Sequence, residues 1–252
     1  MKRTVLSILI ALAWSPALPA QQPAVDENLI VFLSDIHALD KPLVRREGSF
    51  ETMNNFRICV KHVLNMSPRP ATAVFLGDVT EDGSEIAYSV FKENVVPFKN
   101  AGVRCLVIPG NHDSSRSFAQ AFPAEAAASP VPGKTVAVLE LPAAAFIFLD
   151  TTDPGTQDGY YGSLGEKQTA WLMETLKRFG SKPVFLCGHH SLDMMREMPD
   201  LKSFPALHGW VCGHLHQFGE KMSKAGIPQF FVPSTGFQTG SQPLGFVTLR
   251  VA

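Results

Sequence analysis

The chain has 252 residues and a formal net charge of −1, with 45% hydrophobic and 18% charged residues. It is long enough to bury one substantial core. The near-neutral charge argues against an extended nucleic acid or an anionic membrane surface as a partner, so we expect a small substrate.

Residues 1–20 are typical of a secretory signal peptide. A short basic start precedes an apolar run from Val5 to Trp14, and a stretch rich in Pro and Ala then ends at Ala20. The run is too short to span a hydrocarbon core of about 30 Å as a helix, and an uncleaved anchor is the alternative. We expect cleavage near Ala20, one mature domain over residues 21–252, no membrane span after cleavage, and a periplasmic or secreted location.

The first half of the mature chain alternates apolar runs of strand length with stretches of helical spacing. Strands are predicted at 29–33, 73–76 and 103–108, and helices at 51–66 and 85–99. The order strand, helix, strand, helix, strand predicts parallel pairing with helical crossovers. The charged segment 40–49 between the first strand and the first helix is predicted to be a surface loop.

In the second half, the predicted strands follow one another more closely. Residues 118–133 are rich in Ala and Pro and show no clear period, which predicts a loop with at most one helical turn. A capping box at 163–166 is expected to open a helix over 166–179. Strands are predicted at 135–139, 145–149, 183–187, 210–212, 229–232 and 246–251. Two sheets packed face to face with helices outside fit this order.

Four apolar runs end on a glycine. In each case the next residue is polar and able to bind a metal ion or a phosphate. These junctions are Leu76-Gly77-Asp78, Pro109-Gly110-Asn111, Cys187-Gly188-His189 and Cys212-Gly213-His214. A glycine lets the backbone bend where a strand stops, so that the next side chain points into a shared crevice. Four such junctions indicate a common site.

The polar residues at the strand ends form a set that suits a metal ion. They are Asp35, His37, Asp78, Asn111, His112, His189, His214 and His216. A single histidine in such a place is usually structural, but carboxylate, amide oxygen and imidazole together are the donors that hard-to-borderline divalent ions prefer. In Asp35-x-His37 and His214-x-His216 the two side chains project to the same side of an extended chain, so each pair can hold one ion.

The four cysteines lie in apolar sequence and lack C-x-x-C spacing. We expect Cys59, Cys105, Cys187 and Cys212 to be buried free thiols. The alternative is a disulfide, which export permits, and the pair to check is Cys187 and Cys212, since each lies two residues before a histidine.

These motifs resemble those of the calcineurin-like metallophosphoesterases. The matching segments, in the family's order and across roughly residues 29–216, are Asp35-x-His37, Gly77-Asp78, Gly110-Asn111-His112-Asp113, His189 and Gly213-His214-x-His216. The resemblance implies an α/β fold, a four-layer αββα sandwich in which two mixed β-sheets lie face to face with helices outside.

The resemblance also implies two divalent, or one divalent and one trivalent, metal ions of the type Mn, Fe, Zn or Co. By it, Asp35, His37 and His216 hold the first ion, Asn111, His189 and His214 hold the second, and Asp78 bridges them. The implied reaction is attack by a metal-bridging hydroxide on phosphorus, with His112 as the proton donor to the leaving oxygen. Asn111, His112 and His190 are the predicted substrate contacts, with a merely polar role as the alternative for His190.

Within that family, two stretches resemble the class III cyclic-nucleotide phosphodiesterase branch. They are residues 77–84 and residues 149–152 with Gly162 and 168–172. The chain departs from this branch at Ser191 and Leu192, where the branch usually has two prolines. Glu81 stands where purple acid phosphatases place a tyrosine ligand, so a ferric-tyrosinate centre is not expected.

The predicted function is hydrolysis of small phosphodiesters of the cyclic nucleotide or glycerophosphodiester type. The alternatives are a phosphomonoesterase with the same site and a metal-binding scaffold without catalysis.

The remaining polar residues are predicted to have structural or surface roles. His62 is expected on a helix surface, His208 on a loop before a strand, Asp82 and Asp113 as residues that orient loops or ligand histidines, and Tyr160 and Tyr161 with Asp158 either at the substrate mouth or in a simple loop.

Overall fold

A computed structural model describes residues 23–113, 115–153 and 159–251, so the predicted signal peptide lies outside the described residues. In chain order the elements are β1 (Val25–Leu33), β2 (Leu43–Arg45), β3 (Gly48–Phe50), α1 (Thr52–Leu64), β4 (Arg69–Leu76), α2 (Glu85–Asn100), β5 (Arg104–Ile108), α3 (Ser115–Ala121), α4 (Pro123–Ala128), β6 (Ala137–Glu140), β7 (Ala145–Phe148), α5 (Gly165–Phe179), β8 (Val184–Cys187), β9 (Leu207–Cys212), β10 (Gly219–Met222), β11 (Pro228–Phe231) and β12 (Val247–Arg250). Two single 3-10 turns, Leu192–Met194 and Leu201–Ser203, lie between β8 and β9.

The first sheet has the strand order β12-β1-β4-β5. Strands β1, β4 and β5 are parallel, and β12 pairs with β1 in the antiparallel direction. The central strands are continuous apolar runs because both of their faces are covered by other layers. The predicted alternation of parallel strands and crossover helices in the first half is therefore confirmed.

The second sheet has the order β10-β11-β9-β8-β7-β6. Its four central strands, from β7 to β11 across the sheet, are parallel, and β6 and β10 are antiparallel edge strands. Both large sheets are thus mixed. A separate hairpin of β2 and β3 lies in the segment that the sequence predicts as a surface loop.

Three apolar clusters separate the layers of the fold. One lies between the two sheets and contains Phe32, Val74, Phe146 and Phe148. A second joins the outer face of the first sheet to α1 and α2, and a third joins the second sheet to α5. The predicted four-layer αββα sandwich is confirmed by this arrangement.

Residues 118–133 are more helical than the sequence predicts. Helices α3 and α4 occupy most of the segment, and Phe118 and Phe122 pack their rings against Tyr88 of α2. Helices this short are marginal by propensity and depend on tertiary packing. Two buried aromatic residues in an Ala-rich background supply that packing without producing a clear period.

The predicted capping box of α5 does not form. The residue that caps α5 is Leu164, which gives no side-chain hydrogen bond, while the Ser163 hydroxyl donates to Glu197 Oε1 at 3.3 Å. By contrast, α2 begins after Ser84, whose hydroxyl accepts a hydrogen bond from Ala87 N at 3.2 Å. Ser163 does not take the capping position because its backbone N–H donates to Thr151 O at 3.1 Å.

All four cysteines are free thiols, as expected. Cys105 is half-buried and the other three are buried, and burial raises the pKa of Cys59 and of Cys105 to about 11. His208 is an exposed residue of β9 and not of a loop before it. Within the described part of the chain, no helix is both long enough and apolar enough to cross a bilayer.

We predict that Phe75→Ala destabilises the protein by about 3–5 kcal/mol, because truncating a buried aromatic side chain leaves a cavity. The Phe75 ring is fully buried and lies 5.2 Å from the Phe91 ring and 6.1 Å from the Phe56 ring. Urea unfolding measures the change. The control is Ile86→Ala on α2, where the side chain is 62% exposed and a change within about 0.5 kcal/mol is expected. Equal losses for the two variants would contradict this account of the core.

Candidate metal centre

The predicted ligand residues all follow strands at one end of the sandwich. Asp35 and His37 follow β1, Asp78 follows β4, Asn111 follows β5, His189 follows β8, and His214 and His216 follow β9. Since β1, β4 and β5 are parallel, and β8 and β9 are also parallel, their carboxyl ends meet at the same edge of each sheet. A crevice outside the carboxyl ends of strands is the usual ligand site of such sheets.

Asp35, His37 and His216 form a first cluster. One candidate ligand atom from each of these residues lies within 4.8 Å of the other two. His216 Nε2 is 3.3 Å from Asp35 Oδ1 and 3.3 Å from His37 Nε2. The three donors are thus close enough for a single ion to contact all of them.

Asp78, His189 and His214 form a second cluster within the same distance limit. Asn111 joins it, because its Oδ1 lies 3.0 Å from His189 Nε2. The donors of both clusters are carboxylate, imidazole and amide oxygen, which fit divalent ions such as Mn, Fe, Zn or Co.

Asp78 lies between the two clusters. Its Oδ2 is 3.2 Å from His189 Nε2 and 3.8 Å from His37 Nε2. Its other oxygen, Oδ1, accepts a hydrogen bond from His112 N at 2.8 Å, which fixes the plane of the carboxylate. One oxygen atom of Asp78 therefore faces both sets of donors.

The buried carboxylates set the electrostatics of the centre. Burial alone would lower the pKa of His189, but the charge of Asp78 outweighs burial and raises the pKa to about 9. Burial and repulsion from His189 lower the pKa of His214 to about 4. The centre attracts positive charge, which a metal ion can supply as well as a proton.

Five of the predicted ligands have a left-handed backbone. The φ angles are 52° for Asp35, 51° for His37, 47° for Asp78, 66° for His214 and 51° for His216. Such conformations cost a residue with a side chain about 1–3 kcal/mol and cluster at functional sites. The strain coincides with the ligand positions, so it indicates that the chain bends there to aim these side chains.

Two of the strand-end glycines are needed for space. A Cβ on Gly110 would lie 2.2 Å from Asp78 Oδ1, and a Cβ on Gly213 would lie 1.8 Å from Ser34 Oγ and 2.5 Å from Asp35 Oδ2. From the sequence, the expected role of these glycines is to let the backbone bend. The structure gives a different reason for both, since the backbone approaches the carboxylates of Asp78 and Asp35 closely.

Each of three predicted ligand histidines is held from behind through its Nδ1 atom. His37 Nδ1 donates to Glu81 Oε2 at 2.8 Å, and His189 Nδ1 donates to Leu76 O at 2.8 Å. His216 Nδ1 lies 3.1 Å from the Thr239 hydroxyl. These bonds orient the rings so that Nε2 faces the centre, as is usual for histidines that bind metals.

Glu81 and Thr239 are functional-site residues that the sequence did not reveal. The position of Glu81, three residues after Asp78, invited only a comparison with a tyrosine ligand. The signal that could have revealed the role of Glu81 is a carboxylate so close to the Asp78 turn, where it can accept a hydrogen bond from a predicted ligand histidine. Thr239 lies in a segment without any motif.

Asp113 ties the Asn111 turn to the Asp78 turn. Its carboxylate accepts hydrogen bonds from Gly110 N at 3.0 Å, Val79 N at 3.1 Å and Thr80 N at 3.1 Å. Burial and the nearby charge of Asp78 raise the pKa of Asp113 to about 6. The side chain orients loops, as the sequence predicts.

The predicted proton donor, His112, reaches the edge of the centre. Its side chain is 31% exposed, and its Nδ1 donates to Glu81 O at 2.7 Å. Its ring packs edge-on against that of His37, with 4.8 Å between centroids. The ring is therefore held through Nδ1 and is partly exposed.

His190 uses both of its ring nitrogens within the protein, and the predicted substrate contact stays a prediction. Thr151 Oγ1 donates to His190 Nδ1 at 2.8 Å, and His190 Nε2 donates to Gly159 O at 2.8 Å. The ring is buried and both of its nitrogens are used. Burial and repulsion from His189 and His214 lower the pKa of His190 to about 3, so the ring is neutral.

The remaining predicted residues lie around the rim or on the surface. Tyr160 and Tyr161 are 53% and 45% exposed, and the Tyr160 ring lies 5.9 Å from that of His214. Asp158 lies outside the described residues. His62 is exposed on α1, and Asp82 is exposed in the turn before α2, where its carboxylate accepts from Ser84 N.

Residues 29–218 match the calcineurin-like phosphoesterase family. This match covers more than half of the chain and includes every side chain of the two clusters. The chain belongs to the calcineurin-like phosphoesterase family. The resemblance found in the motifs is thereby confirmed, and the donor clusters agree with the metal dependence of this family of phosphoric ester hydrolases.

Two relatives of this chain are named as phosphodiesterases with different substrates. A probable glycerophosphodiester phosphodiesterase, GpdQ, from Arcobacter nitrofigilis is 30% identical over 63% of this chain and 61% of its own length. The 3′,5′-cyclic adenosine monophosphate phosphodiesterase CpdA from Vibrio vulnificus is 27% identical over 75% of this chain and 70% of its own length. The chain thus spans about three fifths of the Arcobacter protein.

A solved structure of a dimetal phosphatase from Danio rerio shares the phosphoesterase fold of this chain. Its TM-score is 0.68 at 15% sequence identity, and the superposition covers 90% of this chain and 93% of that one. At this identity the similarity concerns the arrangement of strands and helices.

We predict that Asp78→Asn weakens Mn²⁺ binding at least about tenfold, because the variant removes the one carboxylate that faces both clusters. Titration of the metal-stripped protein with Mn²⁺, followed by calorimetry, measures the change. The control is Asp82→Asn, in which an exposed carboxylate of the neighbouring turn is neutralised in the same way. Unchanged Mn²⁺ binding in Asp78→Asn would remove Asp78 from the metal centre.

Proposed function

We propose that this phosphoesterase hydrolyses small phosphodiesters of the cyclic nucleotide or glycerophosphodiester type. The Arcobacter relative, a probable glycerophosphodiester phosphodiesterase, and the Vibrio relative, a cyclic adenosine monophosphate phosphodiesterase, support this substrate class. The observation that carries the proposal is the position of Asp78, whose Oδ2 faces a histidine of each cluster. A carboxylate placed in this way fits a centre with two neighbouring cations.

We assign the first ion to Asp35, His37 and His216. The second ion is assigned to the donor atoms of Asn111, His189 and His214, and Asp78 is assigned to both ions. When bound there, such ions would supply Lewis acidity, which lowers the pKa of water, and positive charge, which offsets that of the substrate's phosphoryl oxygens. Mn, Fe, Zn and Co all suit these oxygen and nitrogen donors.

His112 is assigned the transfer of a proton to the leaving oxygen. The bond from its Nδ1 to Glu81 O fixes the ring, so its Nε2 is the atom that meets the substrate. A positioned histidine of this kind typically contributes about 10²–10⁴ in rate. Asn111, beside it in the same turn, is assigned a contact with the phosphoryl group in addition to its place in the second cluster.

We further propose that the protein is exported to the periplasm or secreted. The support is the sequence of residues 1–20, with its basic start, its short apolar run and the small residues before Gln21. A phosphodiesterase in that location would act on external nucleotides or glycerophosphodiesters. Scavenging of phosphate esters fits this location better than control of a cytoplasmic messenger.

We predict a higher kcat/KM for bis-p-nitrophenyl phosphate than for p-nitrophenyl phosphate. Removal of metal with a chelator should abolish both activities, and added Mn²⁺ should restore them, because the donor clusters hold the groups that activate water. A clear preference for the monoester would replace the proposed diesterase with a phosphomonoesterase. Metal binding without turnover of either ester would favour a scaffold without catalysis.

We predict that His112→Ala retains bound Mn²⁺ but loses about 10²–10⁴ in kcat, since the variant removes a proton donor and no ligand. Steady-state kinetics on the diester and metal analysis of the same sample separate the two effects. His62→Ala, on the exposed face of α1, serves as the matched control and should leave kcat unchanged. Loss of metal from His112→Ala would instead make His112 a ligand.

A further inference from the structure

The hairpin of β2 and β3 lies apart from both large sheets, beside the first cluster. An isolated two-stranded ribbon is only marginally stable in water. Its position therefore depends on side chains that reach the rest of the protein. Three of its residues do so: Leu43 is buried, Phe50 contacts the Phe237 ring, and Arg45 pairs with Glu81.

A chain of charged contacts connects the hairpin to His37. Arg45 Nη2 donates to Glu81 Oε1, and the other carboxylate oxygen, Oε2, accepts from His37 Nδ1 at 2.8 Å. The two oxygens of Glu81 are thus divided between the hairpin and the metal centre. The Glu81 side chain is only 11% exposed, so water cannot readily replace either partner.

Glu81 also contacts His112, through its backbone and its side chain. Its carbonyl oxygen accepts from His112 Nδ1 at 2.7 Å, and its Oε1 lies 3.7 Å from the same nitrogen. One residue therefore holds the ring of a predicted ligand and the ring of the predicted proton donor. The Glu81 carboxylate therefore lies beside both rings.

The bond to Glu81 decides which nitrogen of His37 carries the proton. A carboxylate only accepts, so His37 Nδ1 must be the donor, and the lone pair of Nε2 is left to face the centre. This is the form of the ring that binds a metal ion. The guanidinium of Arg45 fixes the carboxylate that selects this form.

An aromatic contact connects the hairpin to the same cluster. Phe50 lies 5.2 Å from Phe237, and Phe237 lies 4.9 Å from His37 and 4.6 Å from His216, measured between ring centroids. The hairpin thus contacts His37 by two routes, the charged contact through Glu81 and a series of tilted and edge-on rings through Phe237.

We propose that Arg45 and Glu81 are positioning residues that act in series. In this arrangement Arg45 holds Glu81, and Glu81 holds His37 for metal binding and His112 for proton transfer. The hairpin, which the sequence predicts as a surface loop, then supports the metal centre. The proposal rests on the proposed function only in that the first cluster binds a metal ion.

The test is a double-mutant cycle on metal affinity. Glu81→Ala should weaken Mn²⁺ binding to the metal-stripped protein by about 10–100-fold, the usual cost of removing a partner behind a metal-binding histidine. Arg45→Ala should weaken it by a smaller factor, and Arg45→Lys should restore most of that loss. Adding Arg45→Ala to Glu81→Ala should change the affinity less than about twofold, because Arg45 has no carboxylate left to hold.

Kinetics on bis-p-nitrophenyl phosphate at saturating Mn²⁺ provide the second measurement. A fall in kcat that persists at saturating metal is expected for Glu81→Ala, because the His112 ring loses the carboxylate beside it. Arg46→Ala is the matched control, since it removes an exposed charge from the same hairpin that has no ion pair with Glu81. If Glu81→Ala fails to fold, Glu81→Gln replaces it, because the amide keeps the volume and accepts more weakly from His37.

Two results would overturn the proposal. One is wild-type Mn²⁺ affinity in Glu81→Ala or Glu81→Gln, and the other is an Arg45→Ala effect of the same size with and without Glu81. Failure of the proposed function would look different. In that case the wild-type protein would cleave neither ester, while the Mn²⁺ titrations would still show whether Arg45 acts through Glu81.

Discussion

The structure depends on two carboxylates, Asp35 and Asp78, that are buried where the two sheets open at one end. Burying a charge is unfavourable unless it is paired and hydrogen-bonded. His214 N donates to Asp35, and His112 N donates to Asp78. Burial raises the pKa of Asp35, but attraction to His216 and its hydrogen bond outweigh burial, and the pKa falls below its usual value. Imidazoles, backbone N–H groups and bound cations are all ways to compensate the same negative charge.

The sandwich supplies the rigidity that this charge requires. Parallel strands bring distant turns to one edge, and the β1 and β4 turns continue to hydrogen-bond beyond the sheet, through Asp35 N to Gly77 O and His37 N to Asp78 O. The left-handed backbone at the ligands would be unfavourable in a free loop. Here it persists because each of these turns is attached to a buried strand, and the apolar cluster between the sheets stabilises those strands.

Most of the fold, and the gathering of the candidate ligand residues at one place, could be predicted from the sequence, since both depend on local patterns. Buried strands are continuous apolar runs, and the strand-end motifs keep fixed spacing. The rest depends on contacts between distant segments. Thr239 lies behind His216 without any local motif, and both ring nitrogens of His190 are bonded to distant partners, Thr151 and the carbonyl of Gly159. The capping box of α5 failed for a similar reason, because Ser163 is bonded to Thr151 and Glu197.

The supports behind the histidines make the two clusters unequal. A carboxylate, Glu81, backs His37 in the first cluster, whereas a backbone carbonyl backs His189 in the second. A carboxylate makes an imidazole a more basic ligand than a neutral acceptor does. The first cluster also has Asp35, a charged donor of its own, while the corresponding oxygen in the second belongs to the neutral amide of Asn111. Apart from the shared Asp78, negative charge is therefore concentrated on the side of the centre that faces the hairpin.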